Sequence, residues 1–166
     1  MRTDECTKCG ARAKVVRGHY EFTESGLPVV LENIDLVKCA KCGNVDPIIP
    51  KPTQLMATLA KAVIMKSHPL NGAELRFLRK HLGKNGEDFA KLLHVDKTFL
   101  SKWENDANPI GDQSDRLIRL IVAGLLEDFR KEEIVWTIKH LPDISDETSA
   151  EHIVVDPQKM SYRYVA

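Results

Sequence analysis

The sequence predicts an α+β protein in two parts: a small N-terminal metal-held β-hairpin module and an all-helical domain with a C-terminal extension. Three observations carry this. The chain's four cysteines form two Cys-x-x-Cys pairs, Cys6/Cys9 and Cys39/Cys42. Pro47, Pro50 and Pro52 cluster directly after the second pair. From there to about residue 130 the sequence changes to short apolar-periodic segments, several opened by an Asn, Asp, Ser or Thr at the N-cap position.

The cysteine pairs come first. One tight turn in Cys-x-x-Cys delivers two thiolates to one ion, and a glycine follows each pair, Gly10 and Gly43, where the backbone must turn sharply. Two such pairs in a reducing compartment read as a four-thiolate zinc site, not as disulfides. Four sulfurs fill a tetrahedral shell, so one structural Zn2+ per chain is expected, with Cys6, Cys9, Cys39 and Cys42 as ligands. The six histidines lack ligand spacing and read as surface or core residues.

Between the pairs lie 29 residues. Ala13–Phe22 and Val29–Val37 are rich in β-formers and flank the turn signal Glu24-Ser25-Gly26, so a hairpin should bring the two cysteine turns together. The expected module, residues 1–46, is too small to build its own core, which metal replaces. Residues 47–52 should be a stiff proline connector without regular structure.

Residues 53–130 then read as helices. Thr53 caps one of about 14 residues, with Leu55, Leu59, Ala60, Ala62 and Val63 on its apolar stripe. Asn71 with Glu74 forms a capping box for the next, and Leu75 and Leu78 face inward. Asn85 caps a third, Asp96 caps Lys97–Glu104, and Ser114 caps Asp115 to about Arg130. On Lys97–Glu104, helical spacing directs Phe99, Leu100 and Trp103 toward the domain and Lys97, Thr98, Ser101 and Lys102 outward.

Residues 131–166 are an acidic extension. Glu132–His140 reads as helix, Asp143–Glu151 as an acidic loop, and Ile153–Val155 and Tyr162–Val165 as short strands. A lone two-stranded hairpin is marginal, so it should pair with the cysteine module, a partner subunit or a binding partner.

The formal net charge is zero but unevenly spread: +1 over residues 1–55, +3 over 56–126 and −4 over 127–166. The mildly basic middle permits nucleic-acid binding, because the local field decides. No run is long and apolar enough for a membrane span. No apolar stretch follows Met1–Glu5, so a cytoplasmic protein is expected. No nucleophile–base constellation, phosphate-cradling loop or open metal site argues for an enzyme.

The stretch Phe89-Ala90-Lys91-Leu92-Leu93-His94-Val95-Asp96-Lys97-Thr98-Phe99-Leu100-Ser101-Lys102-Trp103-Glu104 resembles the lambda-repressor-like (Xre) helix-turn-helix. It departs from that family at Gly86, where glutamine is common, and at His94, where glycine is common. With the cysteine pairs, Glu24-Ser25-Gly26-Leu27 and Gly72-Ala73-Glu74-Leu75-Arg76-Phe77-Leu78-Arg79, residues 4–126 resemble the YgiT/MqsA-type antitoxins and related zinc-finger regulators. That resemblance implies a bacterial, nucleoid-associated repressor. It would dimerise through its helical domain and bind a palindromic double-stranded DNA operator, usually its own promoter. The zinc module would hold a cognate toxin protein.

The resemblance puts Thr98 and Lys102 at the base-reading positions. Lys97, Ser101, Lys84 and Arg79 are candidates for phosphate contacts, which position without specifying. One recognition helix offers little contact area, so a dimer is expected, with Asp115–Phe129 as its seam. The alternative is a stand-alone zinc-finger regulator, without a toxin, that senses metal or redox state.

Overall fold

The computed structural model describes residues 3–127, 129–140, 144 and 152–165. It is α+β: six helices and a mixed six-stranded sheet. The strands are β1 (Thr3–Glu5), β2 (Arg12–Glu21), β3 (Val29–Lys38), β4 (Val45–Ile48), β5 (His152–Asp156) and β6 (Ser161–Val165). The helices are α1 (Pro52–Met65), α2 (Gly72–His81), α3 (Gly86–Leu92), α4 (Lys97–Glu104), α5 (Asp112–Leu125) and α6 (Lys131–His140).

The chain divides into two compact units. One takes in the chain up to Thr23, Pro28–Thr58 and the C-terminal strands; the other takes in Glu24–Leu27 and the helices from Leu59 onward.

In the sheet unit, β2 and β3 form the expected antiparallel hairpin, from Lys14 opposite Lys38 to Glu21 opposite Val30. The register slips between Gly18 and Tyr20, where Asn33 on β3 takes a positive φ of 53°. That bulge lets one extra residue into β3 without turning its buried face outward. Leu31, Ile34 and Leu36 remain fully buried.

The other edge of β3 is shared. β4 pairs antiparallel with residues 35–38, and β5 pairs parallel with residues 29–31. The C-terminal hairpin thus joins the cysteine module, one of the three pairings open to it. Arg163 on β6 reaches Glu32 on β3 with two hydrogen bonds, 2.5 and 2.7 Å, and holds that carboxylate below its usual pKa range. Asp156 ends β5 as a buried cap: it accepts from the Asn33 amide and from the backbone N–H groups of Gln158 and Lys159.

Contrary to the expectation of a connector without regular structure, Pro47 sits inside β4, opposite Leu36. A proline is tolerated there because β4 has a partner on one side only. Pro52 opens α1, so the helix starts one residue before the expected Thr53 cap; proline's fixed φ suits the first helical turn.

In the helical unit, α2 carries the expected capping box, with the Asn71 side chain accepting from Glu74 N–H and Glu74 accepting from Asn71 N–H. Asn85 and Asp96 cap α3 and α4. α5 differs: it begins at Asp112 behind Gly111, not at Ser114, and ends at Leu125, short of Arg130. Asp112 and Asp115 both lie in its first turn, where the helix dipole favours negative charge. The core is Leu59, Val63, Leu75, Leu78, Phe89, Leu100, Ile118 and Val122, each 2% exposed or less. α6 follows, tied by Glu133 to Lys61 of α1 at 3.2 Å. The expected acidic loop at 143–151 lies outside the described residues, apart from Ile144.

Candidate metal centre and candidate nucleic-acid interface

The four cysteines converge. Their sulfurs all lie within 4.8 Å of one another and form, among the described residues, the one cluster of potential metal ligands. Cys6 and Cys42 are 3.6 Å apart, as are Cys9 and Cys39. A disulfide holds its sulfurs at about 2 Å, and none is present. A tetrahedron with metal–sulfur bonds of about 2.3 Å has edges of about 3.8 Å, so the cluster matches a four-thiolate shell for one ion.

The local backbone explains why. Each pair forms the same turn: Gly10 N–H donates to the Cys6 carbonyl and Gly43 N–H to the Cys39 carbonyl, at 2.9 and 3.0 Å. Cys6 N–H donates to Ala11 and Cys39 N–H to Asn44, both at 2.9 Å. Gly10 and Gly43 adopt φ of +66° and +73°, a conformation a side chain would strain. Asp46 stitches the two turns by accepting from Thr7 at 2.6 Å and Asn44 at 2.7 Å. Beneath lie Ala13 and Val37, which exclude water from Cys6 and Cys39.

Without a cation the Cys39 and Cys9 thiols are shifted in opposite directions. N–H groups of Cys42 and Lys41 draw the Cys39 thiol down to about 6, against burial. At Cys9 the Ala11 N–H also favours the thiolate, but protons shared with Cys42, Cys39 and Cys6, together with burial, outweigh it and push the thiol up to about 12. Four thiolates this close would need a cation to balance their charge.

In the helical unit, α3 and α4 are joined by Leu93–Asp96, a turn in which His94 takes a φ of +54°. This is the position where the resembled family favours glycine. Ala90 is buried, 2% exposed. Leu100 and Trp103 are buried as expected. Phe99 is not: it is 43% exposed, a correction to the inward orientation read from helical spacing. The helix is only eight residues long, and Leu100 and Trp103 suffice to fill its inner face.

Lys97, Thr98, Ser101 and Lys102 are all exposed and share the outer side of α4. Thr98 N–H donates to the Asp96 carboxylate at 2.7 Å, and its hydroxyl also holds that carboxylate below its usual range. Lys84 is exposed. Arg79, expected beside it as a phosphate contact, is placed differently. Its guanidinium grips Glu104 through two hydrogen bonds, 2.6 and 3.0 Å, and the Lys84 carbonyl at 3.0 Å. With 14% of its side chain exposed, it holds the end of α4 rather than facing outward.

That end is clamped by Arg76 and Gly72, for which the sequence alone indicates no such role. Arg76 donates to the Glu104 carbonyl and the Asn105 side chain, at 2.6 and 2.8 Å. Gly72 N–H donates to Asp106 at 2.7 Å. A Cβ on Gly72 would collide with the backbone of Trp103 and Glu104, so α2 and α4 touch backbone to backbone there. A second missed pair is Asp115 and Arg119, four apart on α5 and both buried. Arg119 donates to Asp115 at 2.6 Å and to the carbonyls of Ile64, Lys66 and His68, while Asp115 accepts from Leu70 N–H. The i,i+4 acid–base spacing was visible in sequence; that it would bind the segment after α1, not solvent, was not.

On α5, Leu117 and Leu125 are 47% and 50% exposed and Leu120 and Ile121 half-buried, forming an apolar stripe. Asp115 and Phe129, at the two ends of the expected seam, are buried instead. Among the described residues, no helix is long and apolar enough to cross a membrane. Compared with known families, curated proteins and solved structures, the chain gives no match.

Proposed function

We propose that the chain is a sequence-specific DNA-binding repressor, with α3–turn–α4 as its helix-turn-helix and α4 as the element that enters the major groove. One observation carries this most strongly. α4 presents Lys97, Thr98, Ser101 and Lys102 together on its outer side while Gly72, Arg76 and Arg79 clamp its far end. A short helix held rigidly at its C-terminus and leading with polar, cationic side chains suits base-edge recognition. Thr98 and Lys102 read bases; Lys97, Ser101 and Lys84 contact phosphates. Lysine at 102 lacks arginine's fork, so its guanine contact is the weaker kind.

The α5 stripe of Leu117, Leu120, Ile121 and Leu125 supports a two-fold dimer and hence a palindromic operator. The metal is zinc in a structural role, since four thiolates leave no open position. The antitoxin role, with a toxin held by the cysteine unit, rests on the resemblance of residues 4–126.

Selection of duplexes from a random library by the full-length protein tests the DNA reading. Thr98→Ala or Lys102→Ala should weaken the selected site by about 1–3 kcal/mol and relax its sequence. Lys97→Ala should weaken all duplexes alike and lower the salt slope by about one. An unchanged ratio of selected to random affinity in Lys102→Ala would remove Lys102 from base reading. Purification of the tagged protein from its own cells tests the toxin: a stoichiometric small protein encoded beside it is the expected partner.

A further inference from the structure

Phe99 is an exposed aromatic at the edge of the cationic side of α4, one turn before Lys102 and the buried Trp103. It is nevertheless fixed in place. Its ring meets Trp103 edge to face, with centroids 5.0 Å apart at 71°. Trp103 is itself buried, 4% exposed, so the ring packs against a core residue. Edge-to-face contact of this kind holds a ring without hiding it.

Position matters as much as exposure. Phe99 lies three residues before Lys102 and Thr98 four before it, so Lys102 has Phe99 as its neighbour on one side and Thr98 on the other. Around the helix this places a hydroxyl, then an ammonium, then an apolar ring.

A phenyl ring has no donor for a phosphate and no hydrogen-bonding edge for a base. In the major groove its complement is the thymine 5-methyl, the apolar group on the groove floor. The Lys102 ammonium suits guanine N7 and O6 in the same groove. We propose that Phe99 is a further specificity-determining residue, one that reads a thymine 5-methyl beside the base pair taken by Lys102. This rests on the reading of α4 as the DNA-entering helix. It adds a requirement that hydrogen-bond readout alone does not impose: a thymine that uracil cannot replace.

The test uses the full-length, metal-loaded protein and a duplex selected by it from a random library. Each thymine of one half-site is replaced in turn by uracil, which removes the methyl and nothing else. One replacement should weaken binding about threefold to tenfold. Phe99→Ala should bind the thymine duplex with about that loss and bind the thymine and uracil duplexes equally; Phe99→Leu should restore part of the difference. The uracil series on the unaltered protein does not depend on any variant folding.

A selected duplex that tolerates uracil everywhere overturns the role of Phe99 and leaves the DNA reading intact. So does a uracil effect that persists in a folded Phe99→Ala variant. Failure to select any duplex over random DNA overturns the DNA reading, and the role of Phe99 with it.

Discussion

In the sheet unit, two turns with matching hydrogen bonds face each other across four sulfurs, with Asp46 bridging Thr7 and Asn44 beside them. In the helical unit, the corresponding fixed points are protein groups alone: Arg119 buried against Asp115 and three carbonyls, and Gly72, Arg76 and Arg79 against the end of α4. Both arrangements fix a few side chains that local structure leaves free. The first has the geometry to hold one metal ion, which could be withdrawn. The second depends on buried polar contacts, each of which leaves an unpaired partner when cut. The two units should therefore fail under different insults.

The largest effect is expected from metal removal. Structural zinc in small modules is worth roughly 10 kcal/mol or more of folding free energy. A strong chelator at neutral pH, or Cys39→Ser, should abolish the turns around Gly10 and Gly43 while the helical circular-dichroism band persists. Equal loss of strand and helix signals would show that the two units do not fail separately. Arg119→Ala should do the reverse, at a cost of about 3–5 kcal/mol, because Asp115 is left charged and buried. Its thermal melt should fall sharply while one metal per chain is retained. Replacing both partners by apolar residues, Asp115→Leu with Arg119→Met, should recover part of the loss.

The two units were also legible to different degrees. The cysteine turns were readable because residue type, spacing and the following glycine each point to the same chemistry. The caps at Asn71, Asn85 and Asp96 were readable because an N-cap is a local contract between neighbours. What escaped was nonlocal. Nothing around Ile153 announces that it pairs with Val29, more than a hundred residues away. Arg79 reads as a surface cation until Glu104 is brought to it, and Phe99 reads as core by spacing until Leu100 and Trp103 are seen to fill the inner face. At Gly72, next to the Asn71 cap, only the approach of α4 shows why a side chain is excluded.

That approach gives the next prediction. A Cβ at Gly72 would stand 2.8 Å from the Glu104 carbonyl carbon and oxygen, backbone atoms that cannot rotate away. Gly72→Ala should cost about 1–3 kcal/mol and displace α4, so DNA affinity should fall together with the melting temperature. Gly86→Ala is the control of opposite sign. A Cβ there meets nothing within 4 Å, at a helical position, so it should be neutral or stabilise by up to about 1 kcal/mol. Matching losses at the two glycines would mean that close packing is not what Gly72 provides.

The smallest effect concerns the seam where the C-terminal hairpin meets the cysteine module, and it carries a pH sign. Burial raises the Asp156 carboxyl, but the Gln158 N–H, the Asn33 amide, the Lys159 N–H and the Lys159 ammonium outweigh it and hold the group below its ordinary value. A group whose folded pKa is depressed adds stability above its unfolded pKa and loses it as pH falls through the folded value. The contribution should therefore be whole above about pH 4 and disappear below that. Acid also protonates the cysteine thiolates and releases metal, so the measurement must separate the two. Amide proton shifts of Gln158 and Lys159, followed by NMR in the unaltered protein and in Asp156→Asn, do so: metal loss affects both alike, and only the difference reports Asp156. An inflection below pH 4 in that difference is expected. One at or above the ordinary aspartate value would mean that the cap exerts no net pull on the carboxylate, and that the hairpin is held by its strand pairing and by Arg163 on Glu32 alone.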